Sequence, residues 1–192
     1  MAERGVFKPP IQRVKLEEIP GSGLILDVGA GGEGIVSRLA GERVCAVDVN
    51  IDKIHEAMIY EQDAHWFVCD GRALCFRENT FDIATLWFSL GYIRTVTAKQ
   101  EVFRDVYRVL RPDGLLLLRA FRLDCEETGA VIRIDFEFPN GTITRTGYGV
   151  ACQRNQTIEA VTSLMRLCGF SIEHGEDKGM LFSIRGRKCE TE

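Results

Sequence analysis

Three acids in this chain stand where carboxylates can hold a nucleotide. Asp27 lies inside LILDVGAGGEG, two residues before Gly29. Asp48 closes the apolar run that begins at Arg43, and Asp70 closes the run that begins at His65. Gly29, Gly31 and Gly34, with Ala30 between the first two, satisfy the spacing GxGxxG. Such a turn lets backbone come very close to a bound nucleotide. Asp48 follows at the distance, about 20 residues, at which a carboxylate accepts both ribose hydroxyls. By itself the glycine pattern serves NAD enzymes, flavin enzymes and methyltransferases alike.

The elements that must position these acids are legible in the apolar pattern. Leu24 to Val28, Arg43 to Val49, His65 to Cys69, Phe81 to Phe88 and Leu115 to Phe121 read as strands. Gly34 to Ala40, a segment capped by Asn50, and Thr97 to Leu110 read as helices between them. Nearly all-apolar strands alternating with helices predict a parallel sheet covered on both faces. In such a sheet ligands bind outside the carboxyl ends of the strands, so the three acids converge on one cleft.

The last third breaks that rhythm. Ile132, Ile134, Phe136 and Phe138 alternate with charged residues, and Asn140-Gly141 precedes Ile143 to Val150. This predicts a hairpin over residues 131–150 with a type I′ turn. Thr157 to Cys168 reads as a helix, followed by strands at Phe170 to His174 and Met180 to Arg187. The connection between these strands is too short for a parallel crossover, so they are expected to pair antiparallel. Residues 1–20 read as irregular or weakly helical. No repeat or linker divides the chain, which predicts a single domain over residues 1–192.

Bulk properties exclude several classes. A net charge of −4 gives no reason to expect a nucleic-acid binder. No apolar run approaches the ~20 residues of a membrane span, and the N-terminus lacks an apolar signal core. A cytoplasmic protein is expected. The seven cysteines form no CxxC pair, and several sit in apolar runs, so they are expected to be structural thiols. His55, His65 and His174 lack metal-ligand spacing, and no metal site is expected.

The ordered motifs carry a family resemblance. LILDVGAGGEG resembles motif I of the class I S-adenosylmethionine-dependent methyltransferases, including its acid before the first glycine. AVDVN, CDGRALCF and NTFDIATLWFSLGYI are similar to the segments at their second, third and fourth strands. VLRPDGLLLL and LMRLCGF resemble their strand-five segment and late helix. The match runs from Leu24 to Phe121 and resumes from Thr157. It implies a Rossmann-like, doubly wound α/β sheet of seven strands, mostly parallel with an antiparallel last strand. The hairpin after the fifth strand is then an insertion.

The resemblance also implies S-adenosyl-L-methionine as cofactor and a role for each residue. Asp27 and the backbone of Gly29, Ala30 and Gly31 would hold the methionine part, with Gly34 in the same turn. Asp48 would bind the ribose. Asp70 would bind the adenine amino group with Gly71 near the ring. Val49 and Arg72 would flank the adenine, and Phe88 with Ser89 would close the methionine side. Tyr92 and Arg94 are expected to face the acceptor. Ser89-Leu90-Gly91-Tyr92 lacks the Asn/Asp-Pro-Pro-aromatic set used on adenine or glutamine amides. A small-molecule acceptor is favoured. Protein or RNA acceptors stay open. The hairpin is expected either to cover the substrate pocket, to form a homodimer contact or to pack on the domain's own surface, and the N-terminal segment, with Phe7, Ile11, Val14 and Leu16, is a second candidate lid. Two other readings stand beside the enzyme: an inactive cofactor-binding sensor or partner subunit, and an NAD(P)-dependent oxidoreductase.

Overall fold

The computed structural model describes residues 5–153 and 156–189. Residues 1–4 of the N-terminal segment lie outside the described residues. A seven-stranded sheet is built from β3 (Ile25–Val28), β4 (Val44–Asp48), β5 (His65–Val68), β6 (Phe81–Trp87), β7 (Leu110–Phe121), β10 (Phe170–Asp177) and β11 (Leu181–Lys188). Its spatial order is β10-β11-β7-β6-β3-β4-β5. The pairs β7-β6, β6-β3, β3-β4 and β4-β5 are parallel, while β11 runs antiparallel to both neighbours. Every residue of central β3 is buried, as a strand covered on both faces requires.

Helices α1 (Ile35–Ala40), α2 (Ile51–Met58), α3 (Val96–Val109) and α4 (Ile158–Leu167) complete the layers. Three start on a side-chain cap. Asn50 accepts from the Asp52 N–H, Thr95 from Ala98 and Thr157 from Ala160. On α3 the apolar face of Val102, Phe103, Val106 and Val109 is fully buried. It joins Leu116, Leu118 and Met165 of α4 in the largest core cluster. A second cluster, with Ile25, Val36, Val44 and Ile83, fills the opposite face of the sheet.

A second sheet consists of β1 (Val6–Phe7), β2 (Gln12–Lys15), β8 (Gly129–Glu137) and β9 (Ile143–Ala151). β9 pairs antiparallel along the length of β8. β1 and β2 share the other edge of β8, both parallel to it. The N-terminal segment is therefore partly β-strand, contrary to its irregular or helical reading. Its strands are too short to show alternation and form only because β8 offers an edge.

The hairpin turn also differs from expectation. The Gly141 N–H bonds to the Phe138 carbonyl at 2.8 Å, and Gly141 alone in the turn has positive φ, 82°. A type I′ turn needs positive φ at both central residues; the observed closure is that of a longer hairpin loop. Pro139, set at the second position of the observed turn, favours that alternative. The apolar face of β8 packs with Leu16, Phe88, Phe121 and Val150 in a third cluster between the two sheets.

The thiol expectation fails at one pair. Cys125 and Cys152 form a disulfide that closes the base of the β8-β9 hairpin. Cys45, Cys69, Cys75, Cys168 and Cys189 are free. The pairing could not be read from sequence, because the hairpin folds back over 27 residues to bring the two together.

Candidate functional site

At the carboxyl ends of β3, β4, β5 and β6 lies a cavity of about 740 Å³, within the size range of small-molecule sites. Its lining includes Asp27, Gly29, Ala30, Gly31, Asp48, Val49, Asp70, Gly71, Arg72, Phe88 and Ser89. Tyr92 and Arg94, expected to face an acceptor, line it too. Gly34 does not. It precedes α1 with φ 55°, and a Cβ there would stand 3.3 Å from Ala57 and 3.4 Å from Trp66. This glycine serves close packing of the turn against α2 and β5. None of the three histidines reaches the cavity.

Each acid is held in its own way. Asp48 accepts from the Gly31 N–H at 3.0 Å and the Asn50 N–H at 2.9 Å, which ties the glycine turn to the start of α2. Asp70 is clamped by Arg72, whose Nη2 lies 2.6 Å from Oδ2 and whose backbone N–H lies 2.9 Å from Oδ1. That pair holds the Asp70 carboxyl below its ordinary range. Asp27 is buried and accepts from the Thr85 hydroxyl at 2.7 Å. Burial raises its pKa to about 7, against the lowering effect of the Thr85 bond, and the Asp48 charge adds to the rise.

The turn itself is tight. Gly29 has φ 74°, and a Cβ there would stand 2.4 Å from the Ser89 Cβ. The Ser89 hydroxyl donates to the Val28 carbonyl at 2.8 Å, locking the two loops together. Phe88 takes the left-handed conformation at φ 65°, rare for a bulky residue. It is held there by Phe121, Phe136 and Tyr148, with ring centroids 4.9, 5.7 and 5.7 Å away.

The hairpin lies over the pocket, one of the places expected for it, but sequence reasoning assigned no single residue on that side to the cavity. Phe136 of β8, Gly147 and Tyr148 of β9, and Glu33 of the glycine turn all line it. The Thr146 hydroxyl donates to Glu33, and Arg38 of α1 donates to the Thr144 hydroxyl at 2.9 Å. The alternation in the hairpin announced a buried face, but nothing local named its partner.

Residues 26–118 match the family model described as a methyltransferase domain. The match covers 93 of the chain's 192 residues and makes the chain similar to the class I S-adenosylmethionine-dependent methyltransferases that its motifs resemble. The antiparallel β11 beside β7 and the acid two residues before Gly29 accord with that family and give a dinucleotide enzyme no support. Among similar proteins is the ubiquinone/menaquinone biosynthesis C-methyltransferase UbiE of Cereibacter sphaeroides. It is 37% identical over 108 residues, which cover 50% of this chain and 42% of that protein. The Klebsiella pneumoniae protein of the same name is 37% identical over 110 residues, with the same coverage. The chain thus spans less than half the length of the curated relatives it matches. A solved methyltransferase from Methanosarcina mazei superposes with a TM-score of 0.69 at 20% identity, covering 89% of this chain and 94% of that one. One from Mesorhizobium loti gives 0.65 at 19% identity, covering 90% and 93%. At those identities the likeness concerns the fold alone.

Proposed function

We propose that this methyltransferase uses S-adenosylmethionine to methylate a small-molecule acceptor. The observation that carries the reading is the convergence of Asp27, Asp48, Asp70 and the glycine turn on one cavity. The residues present suit the cofactor on three counts. The side of Gly29 is too crowded for a Cβ, which suits a turn whose backbone lies against a ligand. Asp48 uses one contact on each oxygen, and an ionised carboxylate has about four acceptor sites, so lone pairs remain for hydroxyls. Asp27 is a buried carboxyl with no cationic partner among the described residues, which suits a positively charged ligand group.

In this reading Asp48 holds the ribose, and Asp70, oriented by Arg72, accepts from the adenine amino group. Val49 and Arg72 flank the ring, with the Gly71 backbone near it. Asp27 faces the methionine ammonium, and Phe88 and Ser89 close that end. When bound, the cofactor supplies an activated methyl group and a good leaving group. The protein's part is to orient the nucleophile, exclude water and accept a proton where one is released. The name of the relatives, enzymes of ubiquinone and menaquinone biosynthesis, supports a small-molecule acceptor. We also infer a single domain acting inside the cell. Among the described residues no helix is long and apolar enough to cross a membrane.

Calorimetric titration with S-adenosylmethionine, S-adenosylhomocysteine and NAD(H) tests the reading. Binding of both sulfur ligands is expected; binding of NAD(H) alone overturns it. Asp48→Ala should weaken S-adenosylhomocysteine binding by about 1.5–3 kcal/mol, the worth of hydrogen bonds to a charged group. Unchanged affinity refutes the ribose role. A screen of small-molecule, protein and RNA acceptors with labelled cofactor then checks the acceptor class.

A further inference from the structure

On β9, Thr144, Thr146 and Tyr148 share one face of the strand. The first two dock that face on α1 and on the glycine turn, through Arg38 and Glu33. Tyr148 comes next along the same face, so its ring meets Phe88 and Phe121 and the residue lines the cavity. Thr146 occupies Oε1 of Glu33. Oε2 has no donor among the described residues and lies 3.3 Å from where a Gly31 Cβ would stand. The Tyr148 hydroxyl likewise has no hydrogen-bond partner among the described residues. Tyr92, from the turn after β6, lines the cavity as well, and Ile35, Phe88 and Phe136 make the surroundings apolar. A free carboxylate oxygen and a free phenol therefore share a largely aromatic wall.

We propose that this wall is the acceptor subsite: it takes a planar, largely apolar molecule with a neutral aromatic hydroxyl, and Glu33 Oε2 receives that hydroxyl's proton. This rests on the methyltransferase reading above. The aromatic rings supply a stacking surface for a flat body. The acceptor hydroxyl donates to Glu33, and its oxygen accepts from Tyr148. Burial and the Glu33 charge push the Tyr148 phenol up, so it stays a donor. At this wall an anionic acceptor would meet the Glu33 carboxylate. An aliphatic amine would be held protonated by the same carboxylate and lose its nucleophilic lone pair. The acceptor's electron pair forms the new bond to the methyl carbon. The pair of the broken carbon–sulfur bond leaves with sulfur, and the proton ends on Glu33.

The test uses the whole protein saturated with S-adenosylhomocysteine and 4-nitrophenol as probe, whose phenolate absorbs in the visible. The groups acting on Glu33 are Lys53 of α2, itself paired with Glu56, and Tyr92 and Tyr148, beside the Thr146 bond. The ionised Glu33 should hold the bound probe protonated. In Glu33→Gln, with melting temperature checked, its apparent proton affinity should fall about tenfold, one pKa unit. With labelled cofactor and a panel of phenols, Glu33→Gln should lose about 100-fold or more in kcat, the scale of general-base catalysis. S-adenosylhomocysteine affinity should stay within about twofold, since the variant spares the cofactor contacts. Tyr148→Phe, a second variant at the wall, should raise KM for the phenol. Displacement of S-adenosylhomocysteine by the probe, or an unchanged titration in Glu33→Gln, overturns the subsite. Failure of the native protein to bind S-adenosylhomocysteine overturns the methyltransferase reading instead.

Discussion

Asp27 combines a cost to folding with the use in binding proposed for it. Its folded pKa of about 7 exceeds the ordinary aspartate value, so between about pH 4 and 7 the folded state binds more protons than the unfolded. Stability therefore falls as pH rises through that window and is fully restored only below it. Asp27→Asn removes the buried charge and keeps an acceptor for Thr85. It should stabilise the protein by about 1–3 kcal/mol at pH 8 and by little at pH 4, read from melting temperatures at both. Binding should show the opposite preference. If the ionised form alone holds the methionine ammonium, native affinity rises about tenfold from pH 6 to pH 8, and this dependence vanishes in Asp27→Asn. At Gly29 the constraint is steric. Gly29→Ala combines positive φ with a Cβ 2.4 Å from Ser89, and should cost roughly 2–4 kcal/mol in urea unfolding. Gly41→Ala shares the positive φ with nothing within 4 Å of its Cβ, and should cost only about 1–2 kcal/mol.

Among elements, the β8-β9 hairpin carries the most consequence for the site. Its inner face supplies Phe136 and Tyr148 to the cavity, and its base is closed by Cys125–Cys152. The segment after the disulfide is part of the same structure. Gln153 donates to the Gly91 carbonyl at 2.9 Å, and both Gln153 and Gln156 accept from the buried Lys99 Nζ, at 2.9 and 2.7 Å. Burial lowers the Lys99 pKa to about 8. The strand ends at β9 are thereby linked to the turn that holds Tyr92. Reducing the disulfide, or Cys125→Ser with Cys152→Ser, frees a loop of 27 residues and should cost about 3–4 kcal/mol by chain entropy. Amide exchange should accelerate in β8 and β9 before it does in β3 or β6. An unchanged melting temperature under reducing conditions would show that packing alone holds the hairpin.

For the molecule as a whole, the cavity lies between the strand ends of the first sheet and the inner face of the second, so a ligand bound there is expected to stabilise both. Ligand bound only to the folded state at 100 times its Kd should add about 2.7 kcal/mol to stability, seen as a rise in melting temperature with S-adenosylhomocysteine and none with NAD(H). The succession of strands and helices along the chain and the antiparallel finish were legible in sequence, because apolar runs, glycine turns and a short connection are local signals; the spatial order of the strands was not. So were Asp27, Asp48 and Asp70, whose places at strand ends follow from where each apolar run stops. The parallel docking of residues 6–15 on β8 was not legible, nor was the Cys125–Cys152 bond. Neither were the clamp of Arg72 on Asp70 and the reach of Thr146 to Glu33. The sequence by itself determined the half of the cavity proposed for the cofactor, since each of its parts belongs to one strand and the turn that follows. Only the tertiary structure decided the facing wall, because its side chains come from distant segments and share a surface only after the second sheet has packed on the first.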